Sequence, residues 1–181
     1  LHSFPTRRSS DLRKLDFELV HISSGQGKST GRQTVALVKT VNPELGGDVT
    51  LLKQKLTQYL PTWLLTYCRR MYWQDVFALL QLVRIRYQLS ELDHEDIRAF
   101  SQGHRGFDLS QGSLQKLLIS CLPTMTGLSD QQQALLIEKV LLNRDWQALS
   151  PPAPVGRKQT LQQLRQIILH CHEFWNKETE H

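Results

Sequence analysis

The sequence predicts an α+β fold that is mostly α: a β-hairpin from the end of a larger sheet, followed by an all-helical region of about six or seven helices. Two strand-like runs flank a Gly/Ser-rich loop between Phe17 and Thr40. After Asn42-Pro43 the apolar spacing changes from alternation to the i, i+3, i+4, i+7 pattern of amphipathic helices. Capping residues and prolines then divide the rest of the chain into helix-sized pieces.

The first strand is expected at Phe17–Ser23 and the second at Arg32–Thr40, where β-branched residues dominate. Between them lies Gly27-Lys28-Ser29, which has the look of a phosphate-binding loop. Such a loop needs a glycine five residues before Gly27, and Ile22 stands there. It must also open a helix, whereas a strand follows here. The loop is therefore expected to be a hairpin turn, and Ile22 argues against an NTPase site at this place.

The segment 42–48, "NPELGGD", breaks both patterns and reads as a linker. Beyond it, Leu51, Leu52, Leu56, Tyr59 and Leu60 form one helical stripe. Trp73, Val76, Phe77, Leu80, Val83 and Tyr87 form a second. A third helix is expected to start at Asp93 as N-cap, with Asp96 in its third position and Gly103 as its left-handed end. Leu114, Leu117, Leu118 and Cys121 mark a fourth, stopped by Pro123. Ser129 caps a fifth, with Leu135, Leu136 and Val140 inside it. Pro151–Pro154 is a stiff connector. Leu161, Leu164, Ile167, Ile168, Cys171 and Trp175 line the last helix.

Residues 2–12, "HSFPTRRSSDL", match the translation of a common sequencing adaptor, and residues 1–12 are set outside the fold. Arg13 onward is then expected to be the downstream part of a longer protein. Residues 13–43 would be the closing strands of a sheet domain, and 44–181 a helical domain. Two strands alone do not make a stable sheet, so partner strands are expected upstream.

Composition narrows the function classes. The chain has 181 residues, 40% of them hydrophobic, and a formal charge of +5. No apolar run approaches the roughly 20 residues of a membrane span, so no membrane partner is expected. Cys68, Cys121 and Cys171 are odd in number and far apart, which predicts reduced thiols in the cytoplasm. Residues 1–43 carry seven Lys/Arg against three Asp/Glu, and residues 44–181 carry 15 against 14. A nucleic-acid site must therefore be a local patch.

Candidate chemistry is sparse. His170 and His172 are two apart on a helix and cannot easily share a metal, so both read as surface histidines. No Gly-x-Ser-x-Gly elbow is visible and the three cysteines lack a nearby His-Asp arrangement, so no catalytic residue is assigned. Basic groups recur at Arg69 and Arg70, Arg84 and Arg86, His104 and Arg105, and Arg157, Lys158 and Arg165. Such side chains neutralise phosphates and stack on unpaired bases. Nearby Tyr67, Tyr72, Trp73 and Tyr87 fall mostly in the apolar stripes and are expected in the core. His104 and Arg105 follow a helix end, in a loop that can aim them at a ligand. On these residues alone, a non-enzymatic helical module that binds protein remains an open alternative.

Three stretches in order carry a family resemblance. "FELVHISSGQGKSTGRQTVALVK", Phe17–Lys39, resembles the closing strands of the GNAT-like domain of bacterial tRNA(Met) cytidine acetyltransferases. "LDHEDIRAFSQGHRGFD", Leu92–Asp108, is similar to that family's tail motif with its Ala-Phe pair and Gly-His-Arg. "VGRKQTLQQLR", Val155–Arg165, is similar to its final Gly-Arg-Lys helix. The resemblance implies acetylation of the wobble cytidine of elongator methionine tRNA from acetyl-CoA. It implies an upstream helicase-like module that uses ATP or GTP, and a helical tail that binds tRNA. By position it places Lys14 beside acetyl-CoA, while Asp16 stands where the family usually has Gly. A fragment without the upstream modules is expected to be inactive and to bind neither cofactor alone.

Overall fold

A computed structural model of the chain describes residues 17–26, 33–39, 46–150 and 156–179. Strand β1 spans Glu18–Gln26 and pairs antiparallel with β2, Gln33–Val38. Six α-helices follow among the described residues: α1 Gly46–Leu65, α2 Trp73–Val83, α3 Glu91–Gln102, α4 Phe107–Cys121, α5 Asp130–Leu135 and α6 Arg157–Thr179. The fold is α+β and mostly helical. The chain divides into two compact units, Leu1–Val83 and Arg84–His181.

In the first unit, the hairpin packs on α1 and α2. The register runs from Glu18 opposite Val38 to Ile22 opposite Val35, with an irregularity between Leu19 and His21. That bulge breaks strict alternation, and consecutive Leu19 and Val20 are both buried together with Ile22. Because the segment before residues 27–32 and the segment after them are both strands, the Gly27-Lys28-Ser29 loop connects strand to strand. Residues 27–32 themselves lie outside the described residues; the element after them is a strand, not the helix that a phosphate loop opens.

The buried face of α1 differs from the expected stripe. Val49, Leu56, Leu60 and Leu64 are buried, whereas Leu51, Leu52 and Tyr59 are exposed. The helix also starts inside the expected linker: Gly46, Gly47 and Asp48 are helical, and Asp48 sits in the favourable first turn. With the start shifted and Leu64 added, the core spacing becomes 49, 56, 60, 64. In α2 the buried residues are Val76, Ala78, Leu79 and Leu80. Tyr87, expected on that stripe, lies beyond it. Arg84 adopts φ 43°, a left-handed conformation that ends the helix after Val83.

The second unit is built on α3, α4 and α6, which all contact one another, with the segment after α5 packed on α4. Ile97, Phe100, Leu114, Leu117, Leu118, Leu164, Ile168 and Cys171 fill its centre. Gly103 ends α3 at φ 86°, as expected. The start is different: Ser90, not Asp93, is the N-cap. The Ser90 hydroxyl accepts from the Asp93 N–H, and the Asp93 carboxylate accepts from the Ser90 N–H. This reciprocal box satisfies two orphan amides and so outcompetes a cap three residues later.

Ser129 caps α5 through a similar box with Gln132. The expected single helix then changes character: Leu136–Leu141 forms a π-helical turn. Wider winding turns Glu138 and Lys139 inward, and both are buried. Glu138 is held by the Arg144 guanidinium at 2.8 Å and the Ser150 N–H at 2.6 Å. The Lys139 ammonium donates to the Arg144 carbonyl at 2.9 Å and lies over the Phe107 and Trp146 rings. Pro151–Pro154 lies outside the described residues.

Candidate nucleic-acid interface

The cations named from the sequence fall into separate places. The turn that ends α3 is closed by the His104 and Arg105 amides, which both donate to the Ala99 carbonyl at 2.8 and 3.1 Å. Gly103 enables this reversal because its positive φ is free of Cβ strain. His104 emerges exposed from the turn. Arg105 folds back and pairs with Asp96.

Arg165 reaches the same turn from α6. A Cβ on Gly103 would sit 3.3 Å from its Nη1, so the guanidinium lies directly on the glycine. Its carbon is 5.7 Å from the centre of the Phe100 ring, which is fully buried. The Arg165 Nε is buried and has no hydrogen-bond partner among the described residues. The fold thus brings Arg165 to the turn that carries His104 and Arg105, about 60 positions earlier in sequence.

Arg157 and Lys158 lie exposed in the first turn of α6, about 12 Å along the axis from Arg165 at 1.5 Å per residue. The Arg157 guanidinium stands 5.7 Å from the Trp146 ring. Arg69 and Arg70 belong to the first unit, in the turn after α1. Arg84 and Arg86 are exposed in the irregular run that opens the second unit. Lys14 lies outside the described residues.

Two polar contacts in the second unit are absent from the sequence reading. Asp93 joins α3 to α4: both its oxygens accept from the Lys116 ammonium at 2.9 Å, and one also accepts from the Ser113 hydroxyl at 2.9 Å. Burial alone would raise its pKa. The Ser90 N–H, the Lys116 ammonium and the two serine hydroxyls outweigh that and hold it at about 2. The sequence signal was Ser90-x-x-Asp93 itself.

His172 is buried rather than on the surface, while His170 is exposed. Its Nε2 shares a hydrogen bond of 2.8 Å with Nδ1 of His94, and His94 also meets the Trp175 ring edge-on. Burial, His94 and Arg98 lower the His172 pKa, with Glu173 opposing. The two-residue spacing puts the histidines of "HCH" on different faces of α6, and one of those faces is the core.

All three cysteines are free and buried. Burial raises the Cys68 thiol to about 11, and hydrogen bonding to Cys171, with burial, pushes Cys121 well up. Thiols held protonated are poor nucleophiles. Among the described residues no cluster of three or more His, Cys, Asp and Glu side chains forms a metal site, and no helix is long and apolar enough to cross a membrane. Neither a protein-family model nor a curated protein matches this sequence.

Proposed function

We propose that this chain is the tRNA-holding C-terminal part of a cytoplasmic, ATP- or GTP-dependent tRNA(Met) cytidine acetyltransferase. Two things support the reading. One is the ordered resemblance of Phe17–Lys39, Leu92–Asp108 and Val155–Arg165 to that family. The other, which carries it, is the meeting of two of those stretches in space, where Arg165 lies on Gly103 beside His104 and Arg105.

The arrangement suits phosphate contact. A guanidinium packed against a buried ring and a glycine is restrained, so less side-chain entropy is lost when it binds an anion. Arg157 and Lys158 extend the positive face along α6. Such contacts fix the register of a folded RNA without reading its sequence. Acetyl-CoA and nucleotide enter through the resemblance alone, and the transfer chemistry is assigned to no described residue.

The alternative, a protein-binding helical module, draws on exposed Leu92 and Leu109 at 65% and 78%. The test is binding of tRNA by the full chain across ionic strength. The proposed function predicts affinity that drops steeply between about 50 and 200 mM salt. Absence of tRNA binding at the lower salt rejects it.

A further inference from the structure

The first unit carries a second surface of different chemistry. Along α1 and the turn after it, Tyr59, Trp63 and Tyr67 recur every four residues and form a ladder. The Tyr59 and Trp63 rings are 6.1 Å apart and 18° from parallel, and Trp63 and Tyr67 are 5.9 Å apart. His21 of β1 meets Trp63 edge-on at 5.6 Å. These rings lie beside the core face, which Leu56, Leu60 and Leu64 already fill. Tyr59 is 45% exposed, and Tyr72, just past the turn, is 73% exposed.

The charge around the ladder is one-sided. Residues 49–72 contain no Asp or Glu but carry Lys53, Lys55, Arg69 and Arg70. Lys53 is paired with Glu18, while Lys55, Arg69 and Arg70 are exposed. The bias favours an anionic partner. Exposed aromatic rings flanked by cations suit a flexible polyanion with flat faces.

We propose that this ladder is a stacking site for unpaired bases of single-stranded RNA, with Tyr59 as its outermost platform and Lys55 and Arg70 on the backbone phosphates. Double-stranded RNA is a poor ligand, because its base faces are already stacked. The site shares no residue with the cation face of the second unit. It stands or falls independently of tRNA binding there.

The test is fluorescence anisotropy of the full chain with a short, labelled, unstructured oligoribonucleotide, and with a blunt RNA duplex as comparison. Tyr59→Ala is expected to weaken single-strand binding by roughly 5- to 100-fold. Its salt slope should be unchanged, because no phosphate contact is lost. Tyr59→Phe should bind like the parent, since the ring and not the hydroxyl stacks. Arg70→Ala should weaken binding and flatten the slope. Tyr59 is exposed, so its removal leaves the circular dichroism unchanged. Single-strand binding that is absent, equal in Tyr59→Ala, or lost equally in Tyr59→Phe overturns the proposal. So does a duplex affinity that Tyr59→Ala lowers as much as it lowers single-strand affinity.

Discussion

Asp93 offers the sharpest test of how the second unit holds together. Asp93→Asn keeps the shape of the side chain and removes its charge. The carboxyl in question is held at about 2, against an ordinary 3.8, by the Ser90 cap and by Lys116. That difference of nearly two units corresponds to about 2 kcal/mol favouring the charged form in the folded chain. The side chain is only 6% exposed, so solvent screening takes little from it. Asp93→Asn should therefore cost about 2 kcal/mol in urea denaturation at pH 7. Lys116 is 42% exposed and can rehydrate alone, so Lys116→Met should cost roughly half that or less. The sign follows from the depressed pKa. The contribution is complete above pH 3.8 and fades as pH falls towards about 2. The gap between parent and variant must narrow over that window. A loss below about 0.5 kcal/mol at pH 7, or a gap that does not change with acid, refutes the assignment.

Other predictions follow the same logic. Gly103→Ala should cost about 1–2 kcal/mol by thermal melting, because φ 86° strains any Cβ and Arg165 must also move. Ser129→Ala should remove one half of the α5 capping box and cost about 1 kcal/mol in the same assay. The His172 pKa is lowered in the folded chain, so the unfolded chain binds that proton first. Stability should fall as pH drops below the ordinary imidazole value of 6.5, and His172→Phe should abolish that part of the slope in urea titrations.

The legible features were those with short-range causes. The hairpin, the Gly103 turn, the Ser129 cap and the Leu114–Cys121 helix all follow from spacing and local chemistry. The α1 stripe was misassigned because Leu51, Leu52 and Tyr59 fit a helical period as well as Val49 and Leu64 do. Periodicity names a face but not which of two adjacent faces is buried. Ser90 was passed over for Asp93 because both residues can cap, and only the reciprocal bond decides between them. The π turn at Leu136–Leu141 has no pattern of its own in the chain. Its cause is tertiary: Glu138 and Lys139 find Ser150, Arg144 and Trp146 inside. The cation site was half legible. Its members were visible, but the contact of Arg165 with Gly103 joins residues 62 positions apart in sequence. Of the aromatics near Arg69 and Arg70 that were expected mostly in the core, Tyr72 is 73% exposed.

The measurement that bears most directly on RNA holding is the slope of log affinity against log salt for tRNA, for the parent and for Arg157→Ala/Lys158→Ala together. Both side chains are exposed, so the variant should fold as the parent does. The account predicts weaker binding and a slope reduced in magnitude by about one to two. A variant that binds tRNA with the parent's affinity and the parent's slope contradicts it.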